Sequence, residues 1–504
     1  MFRDAFRVRA AIVAALIAAA AAGLGVWILT GTGDGLVRRH VVVDGVPLDE
    51  VHPASVPVGE HRPGVVVAHG FAGSARLMTQ FGDTLSARGY VVVLLDFSGH
   101  GQNTHPLPDG TASTDTSAAV LQRDLDVAMT HLRGLADVDP SRVAVVGHSM
   151  GATAVTRYAL AHPEVTATVA ISLPDSSHLP PDRPARLLLL VGAAEPPAMR
   201  TAVDRAVEQG GPGRSAVSVP GAEHISVLYA PRTHREVVSW LDESFGGPAD
   251  GRPIPSPMRR VSAAALLMLA FLVGLYPVAR VLLGGSPPRW PRIAQPAIIR
   301  IVAVAVVAAG VAVLVAPIAP TVRLPLALGG FIVGFTATAG VAMLAYHRWR
   351  DGTFSASAPV ARLGGLRLAV AAPALIGYAA ATIAVPLHLG LTNAVPVGVR
   401  WWLLAAVWAG FAVLAYAAEC VAGGNSFGVL AVSAVAVIAM TCAAIVGLAS
   451  GFLLLVVPLF AVLLLWQAIW SAVLHRFSAP TWLISLAGSL LVAWPIATAL
   501  PVIG

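Results

Sequence analysis

Lysine is absent from all 504 residues, so the basic side chains are 33 arginines. They form no stripe interleaved with aromatics, which argues against a nucleic-acid surface. Acidic residues are scarce in one half only: of 27 Asp and Glu, just Asp351 and Glu419 lie beyond residue 260. Charged residues make up 12% of the chain and hydrophobic ones 56%, far from the roughly one quarter charged expected of a soluble domain. Cysteine is almost missing too. Cys420 and Cys442 both fall in the acid-poor half, so the polar half has neither a disulfide nor a thiolate metal site. No cofactor or metal is expected.

What the chain does have is long apolar runs, one near its start and the others in the acid-poor half. Residues 10–30, "AAIVAALIAAAAAGLGVWILT", are long enough to cross a hydrocarbon core of about 30 Å and are preceded by Arg3, Arg7 and Arg9. A cleavable signal peptide is the alternative, but the run continues to Leu29, past the usual apolar core of such peptides, which favours an uncleaved anchor. Eight further spans are expected near 261–283, 297–319, 325–346, 368–388, 401–420, 427–449, 452–474 and 482–503, the sixth and seventh divided only by "GLASG". With the first residues inside, the loops with Arg280, Arg289 and Arg292, with Arg348, Arg350, Arg362 and Arg367, and with Arg476 all fall on the cytoplasmic side. The opposite loops carry mainly Arg323 and Arg400. This asymmetry obeys the positive-inside rule and puts residues 31–258 outside the cytoplasm. The expected division is an anchor at 1–30, an extracytoplasmic domain at 31–258 and a membrane domain at 259–504, with the lipid bilayer as partner. Ionisable residues within the spans are few (Glu419 and His388 lie near span ends), so an anchor or scaffold is favoured over a proton-coupled transporter.

The polar half alternates short apolar runs with amphipathic segments. "VRRHVVVDGVPLDEVHPAS" reads as a hairpin turning at Asp44-Gly45. "GVVVAHG", "YVVVLLDFSGHG", "SRVAVVGHSMG", "VTATVAISL" and "ARLLLLVGAAE" read as strands buried on both faces, "SAVSVPGAEH" as a further strand, and the segments between them as helices, the last near 226–245. The expected fold is α/β, a mostly parallel sheet covered on both sides, followed by an all-α membrane region. Ligand sites in such sheets lie at the carboxyl ends of the strands.

Those ends carry one constellation. Gly147-His148-Ser149-Met150-Gly151 fits G-x-S-x-G between a strand and a helix, a turn that exposes a serine oxygen and aims the next amide at a developing oxyanion. The alternative is a glycine-bracketed turn with an idle serine. A serine hydroxyl needs a base, and His224, between the last strand and the last helix, is the candidate, whereas His148 is expected to point away. Glu195, closing its strand, is the candidate acceptor for His224, with Asp175 one strand earlier as the rival acid; Ser, acid and His then follow in the order such sites use. The second oxyanion donor is expected in "AHGFAGS", as the amide of Phe71, beside that of Met150.

"HGFAG", "DFSGHG", "GHSMGA" and "GAEH", in that order, resemble the α/β-hydrolases over residues 36–246, in particular the serine aminopeptidase-like, monoglyceride lipase-like and dienelactone hydrolase-like branch. The resemblance implies a Ser149–His224–acid triad and acyl-enzyme chemistry. The chain departs from the family in having Glu at the acid position, Ser98 where Arg is common, and only "PDSSHLPPDRPA" where lipase-like members insert a lid. The expected function is a membrane-anchored extracytoplasmic serine hydrolase acting on a small or lipid-like acyl ester. An acyltransferase using the same triad, or a non-catalytic scaffold or sensor keeping the fold, are the alternatives.

Overall fold

The computed structural model describes residues 2–54, 59–109, 114–247, 253–284, 295–353 and 364–504. Arg289, Arg292 and Arg362, used above to orient the spans, lie outside the described residues, as do the side chains of Arg3 and Arg7. The chain forms two compact units. One comprises residues 25–264 together with 387–395 and 501–504; the other comprises 1–24, 265–386 and 396–500.

The first unit is built on an eight-stranded sheet. Its strands are β1 (Leu36–Val43), β2 (Val46–Pro53), β3 (Arg62–Ala68), β4 (Val91–Leu95), β5 (Val138–His148), β6 (Ala167–Ile171), β7 (Leu187–Gly192) and β8 (Arg214–Val219), in spatial order β1-β2-β4-β3-β5-β6-β7-β8. β1 and β2 pair antiparallel through the expected turn, where Asp44 (φ 46°) and Gly45 (φ 81°) are both left-handed. β2 joins β4 antiparallel, and every later pairing is parallel. Alternation explains why both faces are covered: Val65 and Val67 of β3 enter one core cluster, Val66 and Ala68 another.

Five helices follow the strands: α2 (Thr79–Ala87), α3 (Asp115–Arg133), α4 (Met150–Ala161), α5 (Pro197–Glu208) and α6 (Pro231–Ser244). Phe81 and Leu85 of α2 pack with Val237 and Leu241 of α6 on one face. Leu121, Leu125 and Leu132 of α3 pack with Val155 and Tyr158 of α4 on the other. Each fully buried aliphatic side chain contributes about 1.5–3 kcal/mol. The helix expected near 226–245 is instead a 3₁₀ turn (Ser226–Tyr229) followed by α6. Pro231 lacks the N–H to continue a helix but suits the first turn of a new one.

The described residues also form nine long apolar helices: α1 (Phe2–Thr30), α7 (Arg259–Leu283), α8 (Gln295–Val315), α9 (Gly329–Asp351), α10 (Gly365–Gly390), α11 (Arg400–Ala422), α12 (Ser426–Ile445), α13 (Leu453–Arg476) and α14 (Thr481–Ala499). Among the described residues these nine are long and apolar enough to cross a membrane, which fits a multi-pass membrane protein. Among the described residues of the membrane unit, Arg400 and Glu419 are buried and hydrogen-bonded. Arg400 donates to the carbonyls of Ala497 and Leu500, each at 2.8 Å, and Glu419 is bonded by Ser471 and by His475 Nε2 (2.6 Å). The last helix stops at Ala499 instead of 503, because Pro501 biases the residue before it towards extended backbone. Residues 501–504 then run extended within the first unit.

Candidate active site

β3 is flanked by β4 on one side and β5 on the other, so successive crossovers leave its carboxyl end in opposite directions. A crevice opens at such a switch point, and it receives the loops that follow β3 and β5. β5 ends at His148 and α4 begins at Met150, leaving Ser149 alone in the turn with φ 53° and ψ −115°. A side-chain-bearing residue held there costs on the order of 1–3 kcal/mol and persists only where its surroundings enforce it. They do. The Ser149 N–H donates to the Ile171 carbonyl (2.9 Å), and its carbonyl accepts the Thr153 N–H (3.1 Å). The flanking glycines are obligatory: a Cβ at Gly147 would lie 2.2 Å from the Gly151 carbonyl oxygen, and one at Gly151 would lie 2.5 Å from that of His69.

The three candidate side chains meet. His224 Nε2 is 3.1 Å from Ser149 Oγ, and His224 Nδ1 is 3.1 Å from Glu195 Oε2. A carboxylate only accepts, so Nδ1 donates to it, which leaves Nε2 as the acceptor for the Ser149 hydroxyl. Glu195 is 1% exposed, and its other oxygen accepts the Ser172 hydroxyl (2.6 Å) and the Gly192 N–H (2.8 Å). Burial pushes its carboxyl upward, but the hydrogen bonds from His224, Ser172 and Gly192 outweigh that and hold it below the ordinary glutamate value. It is therefore ionised at neutral pH. Asp175, the rival acid, stands exposed with its carboxylate taken up by Ser177.

The loop carrying His224 is self-capped: Glu223 accepts the N–H groups of Ile225 (3.1 Å) and Ser226 (2.6 Å), and Ser226 Oγ accepts the Glu223 N–H (3.0 Å). His148, expected to point away, instead donates through Nε2 to the His224 carbonyl at 2.9 Å. Burial, with the neighbouring His224, depresses His148 to about 3, so it stays neutral and keeps that donor. Sequence reasoning missed this brace because an x position in G-x-S-x-G gives no sign of a partner 76 residues away. It also missed Ser172, whose positive φ (56°) at the end of β6 turns its hydroxyl to Glu195.

Met150 is the first residue of α4, so its amide has no carbonyl one turn earlier to bond. The Phe71 amide lies in the loop after β3, where Gly73 N–H closes a turn on the Gly70 carbonyl (3.0 Å) and Ala72 is left-handed (φ 57°). Gly70 permits the close approach: a Cβ there would lie 3.0 Å from Ser149 Cβ. Beneath the loop, buried His69 donates from Nδ1 to the Gly70 carbonyl (2.8 Å) and accepts the Phe97 N–H at Nε2 (3.2 Å). Asp96 accepts the amides of Ala75 (2.7 Å) and Gln102 (2.8 Å), tying this loop to the one after β4.

The strand order, the left-handed serine between β5 and α4 and the order of the three side chains along the chain define an α/β-hydrolase fold. Comparison with known proteins gives the same class: residues 59–195 match the family described as serine aminopeptidase, S33. Two curated relatives, uncharacterized proteins from two strains of Mycobacterium tuberculosis, are 32% identical over 106 residues, 21% of this chain and 34% of theirs. The chain thus spans about a third of the length of the curated relatives it matches. Among solved structures, a CIB-like hydrolase from Thermoplasma acidophilum is similar at 19% identity, covering 41% of this chain and 97% of its own, with a TM-score of 0.34. A ferulic acid esterase from Streptomyces cinnamoneus is similar at 18% identity, covering 45% and 94%, also with a TM-score of 0.34.

Proposed function

We propose that the chain is a membrane-embedded, extracytoplasmic serine hydrolase that cleaves carboxylic esters through an acyl-enzyme. The observation carrying this reading is the continuous hydrogen-bond line Ser149–His224–Glu195 with the serine in a left-handed turn at a helix N-terminus. Ser149 Oγ attacks the ester carbonyl while His224 Nε2 takes its proton, and Glu195 holds the ring and stabilises the imidazolium. The amides of Phe71 and Met150 receive the oxyanion, an interaction of several kcal/mol at the transition state. His224 then passes its proton to the departing alcohol oxygen as that C–O bond breaks. Water, deprotonated by His224, attacks the acyl-serine, and the returning proton restores the Ser149 hydroxyl as the acid leaves.

The arginine asymmetry of the loops supports the extracytoplasmic orientation. A bilayer setting favours lipid-like or cell-envelope acyl groups. Labelling intact cells with a membrane-impermeant fluorophosphonate tests chemistry and sidedness together. Wild-type protein is expected to label and Ser149→Ala not to. Equal labelling of both forms overturns the nucleophile, and labelling only after lysis overturns the orientation. Product analysis with a competing alcohol separates hydrolysis from acyl transfer.

A further inference from the structure

The loop that presents the Phe71 amide is held by residues from much further along the chain. Ser74, buried at its end, has an Oγ that accepts the Leu77 N–H (3.3 Å) and the Asn393 N–H (3.1 Å) and lies 2.9 Å from Thr392 Oγ1. A serine hydroxyl has two lone pairs and one hydrogen. The two amides fill the lone pairs, so the hydrogen goes to Thr392 Oγ1. Ser74 is therefore saturated, and two of its three bonds come from residues more than 300 positions later. The contact is a built one. Asn393 is 2% exposed, its side-chain amide donates to the Val395 carbonyl (3.1 Å), and Leu391 packs against the core cluster under the sheet.

The neighbouring loop, after β4, is held in the same way. Val502 N–H donates to the Gly99 carbonyl (2.8 Å), Leu107 N–H to the Val502 carbonyl (2.9 Å), and Gly504 N–H to the Leu107 carbonyl (3.1 Å). These bonds add a short parallel pairing of Leu107 with Ile503. Between the clamped ends stands His100, whose ring meets that of Phe71 edge-on at 6.1 Å. Counted over the nine candidate spans among the described residues, residues 31–258 follow the first, 391–399 the fifth and 501–504 the ninth, so alternation assigns all three to the same side of a membrane.

We infer that residues 391–395 and 501–504 are positioning elements of the active site: Thr392 and Asn393 set the oxyanion loop through Ser74, and 501–504 fix the wall behind Phe71. Turnover thus requires segments delivered by the membrane spans, which gives those spans a role beyond anchoring. The inference rests on the proposed serine-hydrolase chemistry. A left-handed Ala72 in a short loop needs its surroundings to enforce it, and an amide displaced by an ångström loses much of its effect on an oxyanion.

The test uses the full-length protein in liposomes, with p-nitrophenyl butyrate as substrate and a fluorophosphonate as probe. Thr392→Val removes the hydroxyl, Thr392→Ser restores it, and Asn393→Pro and Val502→Pro each delete one amide donor. Thr392→Val and Asn393→Pro are expected to lower kcat about tenfold with KM within twofold. Fluorophosphonate inactivation should slow in parallel, with Thr392→Ser near wild type, and Val502→Pro should show a smaller kcat loss. Faster hydrogen exchange at residues 70–78 in Thr392→Val, with its melting temperature unchanged, supports local positioning over general unfolding. Wild-type turnover with Thr392→Val and Asn393→Pro within twofold overturns the inference and leaves the proposed function standing. A wild-type protein that neither turns over nor labels overturns both.

Discussion

Two carboxylates, one in each compact unit, are bonded by the same pair of residue types. Glu195 is held by Ser172 and His224, and Glu419 by Ser471 and His475, and both are buried. A Ser–Glu–His cluster is therefore not by itself a catalytic arrangement. The difference lies on the far side of the imidazole. His224 continues to the hydroxyl of Ser149, in a strained turn with a helix amide beside it. In the membrane unit, Ser471 and His475 sit one turn apart on α13 and converge on one α11 carboxylate, which joins two helices in a medium where an unpaired charge is costly. Under the proposed chemistry, the strained turn and not the Ser–Glu–His bonding distinguishes the two clusters.

The largest expected effect comes from removing what only the first cluster has. Ser149→Ala is expected to lower kcat on the order of 10⁶-fold while leaving the fold and the exposure of the loops unchanged, measured by ester turnover and circular dichroism. The carboxylates give the sharpest contrast. Glu195→Gln leaves a shape-matched group that no longer holds the tautomer or the imidazolium, and kcat should fall about 10⁴-fold. Glu419→Gln should leave turnover within twofold but cost about 1.5–3 kcal/mol of stability through weakened charged hydrogen bonds, read as a lowered melting temperature. Comparable kcat losses in both variants would erase the distinction drawn here.

Smaller effects test the supports. His148→Phe removes the donor to the His224 carbonyl, and kcat should drop about tenfold with an altered pH–rate profile. The pH dependence of stability follows from buried groups in the hydrolase unit. Burial depresses His69 to about 4, His148 to about 3 and His234 to about 4, against 6.5 for an ordinary histidine. Between those values and 6.5 the unfolded chain binds protons that the folded one refuses, so these three groups stabilise the fold above pH 6.5 and lose that contribution as pH falls towards 3. Asp96 acts oppositely: burial raises it from 3.8 to about 6, so its preference for the folded state is full below 3.8 and lost as pH rises through 6. Burial also raises Asp124 and lowers His178, so four histidines stand against two aspartates and the balance is a net loss of stability on acidification from pH 6.5 to 4. Urea unfolding across that range measures it, and a flat profile would refute the buried neutral histidines.

Much of this was legible in the sequence because the signals are local. A strand buried on both faces is a short apolar run, a span is a long one, and a nucleophile turn needs glycine at fixed offsets since no Cβ fits at Gly147 or Gly151. The brace from His148, the Ser172 anchor and the docking of residues 391–395 left no such trace. Each joins positions far apart through one hydrogen bond, and a lone Ser, Thr or Asn looks the same whether it is solvated or saturated. Helix ends were blurred for a different, local reason at 226–245 and 482–503, where Pro231 and Pro501 overrode an apolar pattern.

By itself the sequence determined which residue types stand at the strand ends, how many apolar spans the chain has and where the chain turns, because these follow from period, length and backbone sterics. Only the tertiary structure decided that Glu195 and not Asp175 reaches His224, that His148 faces inward, and that residues 392–393 and 501–504 bond to the loops after β3 and β4. Those outcomes depend on directions and distances between elements, and such quantities exist only once a sheet has twisted and its loops have closed.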